Sequence, residues 1–366
     1  MNQLDAPRTG IAGRLFASRA GGTVWAVLAV LALVAPLVAN QRQTFVLMHV
    51  LVLAVFATSF NVILGYTGMV SFAHGAYYGV GAYTMTLLWL HLGWPPLLGF
   101  VAAPVITAAV AYVTGLIALR AVQLYFALLT LALGQLLFVV AFQWRGLTRG
   151  DDGIHGIPLP GFLIPPTNRY YFLLFAAAVA LGILGAVMHS PFGATLQAIR
   201  ENGERAGFLG IKVKRYQLAS FTLGGAFAGY AGAMFVVMDR GTFPLLMHWT
   251  TSAQPIFVTL IGGLNSFVGP AIGAIIFGLL QDWVTRRFVF WGLILGVVLL
   301  LIILRMPGGT VEGVQRLSAW LLKRRRGGAD ADTSDTEAAS TDGAAEPSGD
   351  QRQGTPAGGP TSGGER

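Results

Sequence analysis

Residues 190–215, SPFGATLQAIRENGERAGFLGIKVKR, form a charged island in an otherwise apolar chain. Ser190 before Pro191 reads as a helix N-cap with proline at the first helical position. Phe192, Leu196 and Ile199 recur at helical spacing, so one face is apolar. Gln197, Arg200, Glu201 and Asn202 cover much of the rest. Glu201 and Arg205 stand four apart, a spacing that supports a helix running on through Gly203. Gly203 is also the point at which such a helix would split. Gly210 is expected at the C-cap, followed by Lys212, Lys214 and Arg215. The plain reading is a basic loop between two membrane helices. The sharper reading is a short helix outside the membrane that docks on a soluble partner.

The flanks of the island decide the fold class. Of 366 residues, 54% are hydrophobic and 11% charged, and mean hydropathy is +0.64. A soluble domain carries roughly 25% charged residues. No Asp, Glu, Lys or Arg occurs from 43 to 119, 121 to 144, 170 to 199, 216 to 238 or 241 to 281. A spanning helix needs about 20 apolar residues, so the chain is expected to be an all-α polytopic membrane protein. With no cysteine, disulfides and thiolate metal sites are excluded. The six histidines show no close-spaced ligand pair.

Ten spans are expected. A retained helix near 23–39 comes first, since Asn40-Gln41-Arg42 and no small-residue cleavage site follows Val38. Further spans lie near 44–63, 66–90 (glycine-rich and broken), 97–119, 121–143, 170–188 and 216–238. A short apolar segment at 254–263, a span near 267–282 and one near 288–305 complete the set. The segment 254–263 is half a span, so irregular backbone there must be covered by protein or line a cavity. Ten spans put both termini and the island on one side, with 15 basic residues against seven on the other. The positive-inside rule makes that side cytoplasmic.

The net charge of +8 hides a split. Residues 327–366 hold eight acids and two arginines, leaving 22 basic and eight acidic residues elsewhere. That excess sits in loops between apolar spans and reads as topological, with no nucleic-acid partner implied. From Gly327 the chain lacks aromatic and branched aliphatic residues and is expected to be a disordered cytoplasmic tail. The expected organisation is a cytoplasmic segment at 1–22, a permease domain at 23–310, a basic segment at 311–326 and the acidic tail.

Absences narrow the function. No GxxxxGK[ST] occurs, so the chain supplies no standard ATP-binding loop. No acidic residue lies inside an expected span apart from Asp282 at the end of one, which argues against a proton-coupled carrier. Backbone carbonyls can still bind sodium, so an ion-coupled carrier and a passive channel stay open. No cluster of nucleophile, base or metal ligands suggests an enzyme. What is present is GYTGMVSFAHGAYYGVGAY at 65–83. Gly75 and Gly79 stand four apart, as do Gly225 and Gly229, and Gly269 and Gly273; such spacing lets helices approach closely. Ser71, His74, Tyr77, Tyr78 and Tyr83 add polar groups beside the glycines. The expected set for translocation pathway and helix packing is Gly65, Gly68, Ser71, His74, Gly75, Tyr77, Gly79, Gly81 and Tyr83.

These motifs resemble a known family. GYTGMVSFAHGAYYGVGAY is similar to the early signature of the LivM-type permeases of branched-chain amino acid ABC transporters. YFALLTLALGQLL (125–137) with LTRGDDGIHGIP (147–158) resembles that family's fifth helix and following loop. SPFGATLQAIRENGERAGFLGIKV resembles its cytoplasmic coupling segment, and IGGLNSFVGPAIGA (261–274) and Arg305-Met306-Pro307-Gly308 also match. The likeness runs in order over about 45–310. It implies a type II ABC importer-like permease fold in the bacterial inner membrane. It implies a LivH-type sister permease, two ABC ATPase subunits and a periplasmic or surface-anchored binding protein as partners. ATP and magnesium would be held by the ATPases, with no cofactor on this chain. Contact with the ATPase would involve Phe192, Ala198, Arg200, Glu201, Asn202, Glu204, Arg205 and Gly210. Relatives that carry urea or short amides leave a second substrate class open.

Overall fold

The uncharged runs fold into helices whose ends follow the chain's own punctuation. The structure, a computed structural model, describes residues 32–288 and, beyond them, 290, 292–294, 296–297 and 300–301. The expected segments 1–22, 311–326 and 327–366 lie outside the described residues. So do most of the spans near 23–39 and 288–305; residues 32–38 of the first are helical.

Helix α1 is Gln41–Thr67. It begins where the Asn40 amide donates to Gln43 Oε1 at 2.9 Å. It ends at Gly68, which takes the left-handed φ of 73° that non-glycine residues avoid. After an irregular break at 68–73, α2 runs His74–Leu92. Prolines at the first helical position open α3 (Pro96–Ala118) and α5 (Pro166–Met188); α4 is Gln123–Gln143. The island gives α6 (Pro191–Glu201) and α7 (Gly203–Phe208). Then come α8 (Val213–Asp239), α9 (Trp249–Gly262) and α10 (Gly269–Arg287). Two short strands, β1 (Ile154–His155) and β2 (Gly241–Thr242), pair antiparallel with Ile154 opposite Thr242.

Five of these helices, α1, α3, α4, α5 and α8, are long and apolar enough to cross a membrane. Their burial separates centre from periphery. The apolar windows of α1 and α8 are 78% and 67% buried, those of α3, α4 and α5 only 28–33%. The outer helices expose Val105, Leu124, Tyr125 and Phe175, a surface suited to hydrocarbon.

Contacts sort the connections to two ends. At one, the end of α1 meets Arg200 of α6, which also meets Asn265 in the α9–α10 turn. At the other, Arg169 donates to the Met238 carbonyl at 3.1 Å, Thr86 meets Thr242 at 2.7 Å, and Arg42 of α1 pairs with Asp282 of α10 at 3.4 Å.

Three expectations need correction. The span expected over 66–90 shares its first residues with α1, and its break lies at 68–73. The short segment expected at 254–263 begins five residues earlier, at Trp249; the stretch before it is β2 and a 3-10 turn, Pro244–Met247. The island helix does not run on through Gly203. Asn202 sits at φ −158° between α6 and α7, so Glu201 and Arg205 lie on different helices.

Candidate functional site

Two places hold the expected residues. The first is the break and α2. Residues 68–73 form a break that is neither helix nor strand: Gly68 turns left-handed, Val70 is exposed, Met69 and Phe72 are half-exposed, and Ser71 and Ala73 are buried. The Phe72 amide donates to Thr130 Oγ1 at 3.1 Å and the Ala73 amide to Ser71 Oγ at 3.3 Å, so the unwound backbone finds acceptors inside the chain. His74 is fully buried between Phe56 and Phe60, with ring centroids 5.1 and 5.2 Å away. Ser59 Oγ lies 2.9 Å from its Nε2 and also 2.7 Å from the Phe56 carbonyl. Because the hydroxyl donates to that carbonyl, Nε2–H donates to the hydroxyl, which fixes the neutral tautomer. The Tyr77 hydroxyl meets Thr114 of α3 at 2.7 Å, and its ring packs edge-on against Phe221 of α8.

The glycines mark close crossings. A Cβ on Gly81 would land on the backbone of Gly229, and one on Gly79 on the Met247 side chain. Gly75 lies against Ser252, and its amide donates to Ser252 Oγ at 2.8 Å. Gly225, Gly269 and Gly273 are as tightly covered. All three four-residue spacings therefore fall at helix crossings. Tyr83 is buried beside Ala141, Ile154 and Met247, and its hydroxyl has no partner among the described residues. Ser71, His74 and Tyr77 are at most 1% exposed. Ser71 Oγ meets the Ala73 amide, His74 meets Ser59 of α1, and Tyr77 meets α3 and α8.

The second place is the island. Ser190 Oγ accepts from the Phe192 amide at 3.2 Å, as an N-cap should. Leu196 and Ile199 are buried, and Phe192 stacks on Tyr216 at 5.7 Å. Asn202 Oδ1 accepts from the Arg205 amide at 2.8 Å and caps α7. Gly210, just past the C-cap residue Leu209, takes φ 84° and turns the chain towards α8. Ala198, Glu204 and Arg205 are exposed.

Arg200 differs from its neighbours. Its Nη1 donates to the Gly65 carbonyl and, at 3.2 Å, to Asn265 Oδ1. Met69 N–H has folded back to the Ile63 carbonyl at 3.1 Å, so Gly65 O lacks its helical donor and the guanidinium supplies one. Gly68 rests on the aliphatic stem of Arg200. The two expected groups thus meet at this residue.

Sequence reasoning missed Phe208 and Leu209, which are 92% and 77% exposed at the tip of α7. An apolar pair inside a charged island was the available signal. It also missed Val70 and Phe72, which are more exposed than Ser71 and Ala73 within the break.

Apolar spans, glycine-lined crossings and broken helices define a multi-pass helical membrane protein. Residues 43–304 match the family model described as branched-chain amino acid transport system / permease component, and the chain belongs to that family. It is 25% identical to the high-affinity branched-chain amino acid transport system permease protein LivM of Escherichia coli K12, covering 77% of this chain and 73% of that one. To the LivH permease of the same strain it is 24% identical, covering 70% and 90%. PsaBC from Streptococcus pneumoniae in complex with Fab aligns at TM-score 0.41 and 17% identity, over 73% of this chain and 92% of that one, a likeness too distant to carry an argument.

Proposed function

We propose that this chain is one of two permease subunits of an ATP-driven importer for branched-chain amino acids. It pairs with a LivH-type sister. Two ATPases, which hold ATP and magnesium, dock on the α6–α7 end from the cytoplasm. A binding protein delivers substrate at the β1–β2 end. The observation that carries the reading is the α6–α7 outcrop. It is a capped pair of helices presenting Phe208 and Leu209 between Arg205 and Lys212, and it is tied through Arg200 to both turns of the broken crossings. A partner that moves this outcrop moves the breaks with it. The route runs along the exposed side of the 68–73 break, where Val70 and Phe72 face out of the chain, at the boundary with the sister permease.

The test is uptake into liposomes holding the complete complex. Leucine should accumulate only with ATP and binding protein present. Accumulation driven by an ion gradient without ATP would establish a secondary carrier. Uptake of urea or acetamide in place of leucine would reassign the substrate.

A further inference from the structure

At the α6–α7 end a cavity of about 370 Å³ opens between α6, the last turn of α1 and the α9–α10 turn. Its walls include Tyr66, Gln197, Arg200, Glu201, Leu264 and Asn265. Two opposite charges share it without neutralising each other. Adjacent residues on a helix do not face one another, and among the described residues neither Arg200 nor Glu201 forms an ion pair. Arg200 spends Nη1 on neutral acceptors, the Gly65 carbonyl and Asn265 Oδ1, which leaves its charge uncompensated. Gln197 adds an amide, and Tyr66 and Leu264 add an apolar wall.

That set of groups matches a zwitterion with an apolar side chain. A guanidinium takes a carboxylate by charge-assisted hydrogen bonds, and a carboxylate takes an ammonium. The volume falls within the ordinary range of small-ligand pockets, about 300–1,000 Å³. Arg200 and Glu201 are exposed in this chain, so the cavity opens on the side where the ATPases dock.

We propose that this cavity binds a free α-amino acid with an apolar side chain on the ATPase side of the membrane, and that the bound molecule slows the transporter. The proposal rests on the reading of α6–α7 as the coupling segment of an amino acid importer. Bridging Arg200 and Glu201 to the end of α1 and the α9–α10 turn, the ligand adds a second tie where Arg200 already makes one. It holds the outcrop in place when the imported amino acid accumulates.

The test uses the complete permease–ATPase complex in lipid nanodiscs, without the binding protein, in equilibrium dialysis against labelled leucine. Saturable binding is expected, with ATPase activity falling over the same concentration range. N-acetyl-leucine lacks the ammonium and leucinamide lacks the carboxylate, and neither should compete. Glu201→Gln should weaken leucine binding at least about tenfold, as loss of a charge-assisted contact implies. Gln197→Ala is the second variant, with a smaller loss, should Glu201→Gln fail to assemble. Absence of saturable binding, equal competition by the two blocked analogues, or equal binding by wild type and the assembled variants would overturn the proposal; the last would put leucine in the translocation route. ATP-driven uptake is measured on the same preparation with binding protein added. Uptake without this binding overturns the cavity alone, and binding without uptake overturns the importer reading alone.

Discussion

Gly81 has no room for a side chain, because the backbone of Gly229 occupies the place a Cβ would take; Gly232 is in the same position against the Tyr78 carbonyl. Neither neighbour can move without its helix. Valine at either position should therefore cost at least the 1–3 kcal/mol (about) typical of overpacking, read as lost complex yield and a lower unfolding temperature. Gly182, with nothing within 4 Å of its Cβ position, should accept valine with yield unchanged. A second test concerns the buried imidazole. Ser59→Ala removes the hydroxyl that accepts from His74 Nε2–H, and a buried donor left unpaired costs roughly 1–3 kcal/mol. Thermal unfolding of the variant should show that loss, and Ser59→Thr should restore most of it. At this scale the sequence was a good guide to the glycines, because a four-residue spacing is itself a packing geometry. It was a poor guide to the hydroxyls. Ser71 and Tyr77 could have faced a route or a neighbouring helix, and spacing alone does not distinguish a hydroxyl that meets water from one that meets Thr114 or the Ala73 amide.

At the scale of the elements, a break near 66–90 was legible but its place was not. Glycine fits both a tight crossing and a left-handed cap, and of the several glycines in 65–83 only Gly68 takes the left-handed turn. The irregular stretch after it carries a sharp expectation. In the complete transporter, cysteine at Val70 should react with a water-soluble thiol reagent, and cysteine at Ser71 should stay unreactive without ATP; the chain has no cysteine of its own to confuse the result. Equal reactivity at both positions would mean that the difference in exposure between Val70 and Ser71 is lost in the assembly. The island shows the same limit. Glu201 and Arg205 have the spacing of a helical pair, but Asn202 offers the backbone a cap, and the cap wins. Helix α7 has six residues, too few to hold itself together without that cap. Asn202→Ala should remove about 1 kcal/mol locally. Limited trypsin digestion should then cut after Arg205 faster than in wild type, and ATP hydrolysis should proceed with less transport per ATP. Unchanged cleavage would show that packing of Ala206, not the cap, holds α7.

For the whole molecule, orientation and crossing number are one question. Basic residues decide less than the full sequence suggested. Within the described residues the α6–α7 end holds six (Arg120, Arg200, Arg205, Lys212, Lys214 and Arg215), and the other end holds seven, so the excess rests on the two termini. Whether 241–262 crosses therefore carries much of the topology. Helix α9 has 14 residues, about 21 Å at 1.5 Å per residue, short of a hydrocarbon core of about 30 Å. The stretch from Gly241 to His248 must supply the remainder, and eight residues at up to about 3.3 Å each have ample reach. Its irregular backbone is tolerable because Thr242, Leu246 and Met247 are buried in protein. This arrangement predicts labelling from opposite sides. In intact cells an impermeant thiol reagent should label cysteine at Phe162, 56% exposed beside the start of α5, and should not label cysteine at Phe208. Inside-out vesicles should reverse the pattern. Cysteine at Ser266, in the α9–α10 turn, should behave as Phe208 does. If it is labelled together with the Phe162 position instead, 241–262 turns back without crossing, the described part of the chain loses one span, and the two termini can no longer share a side.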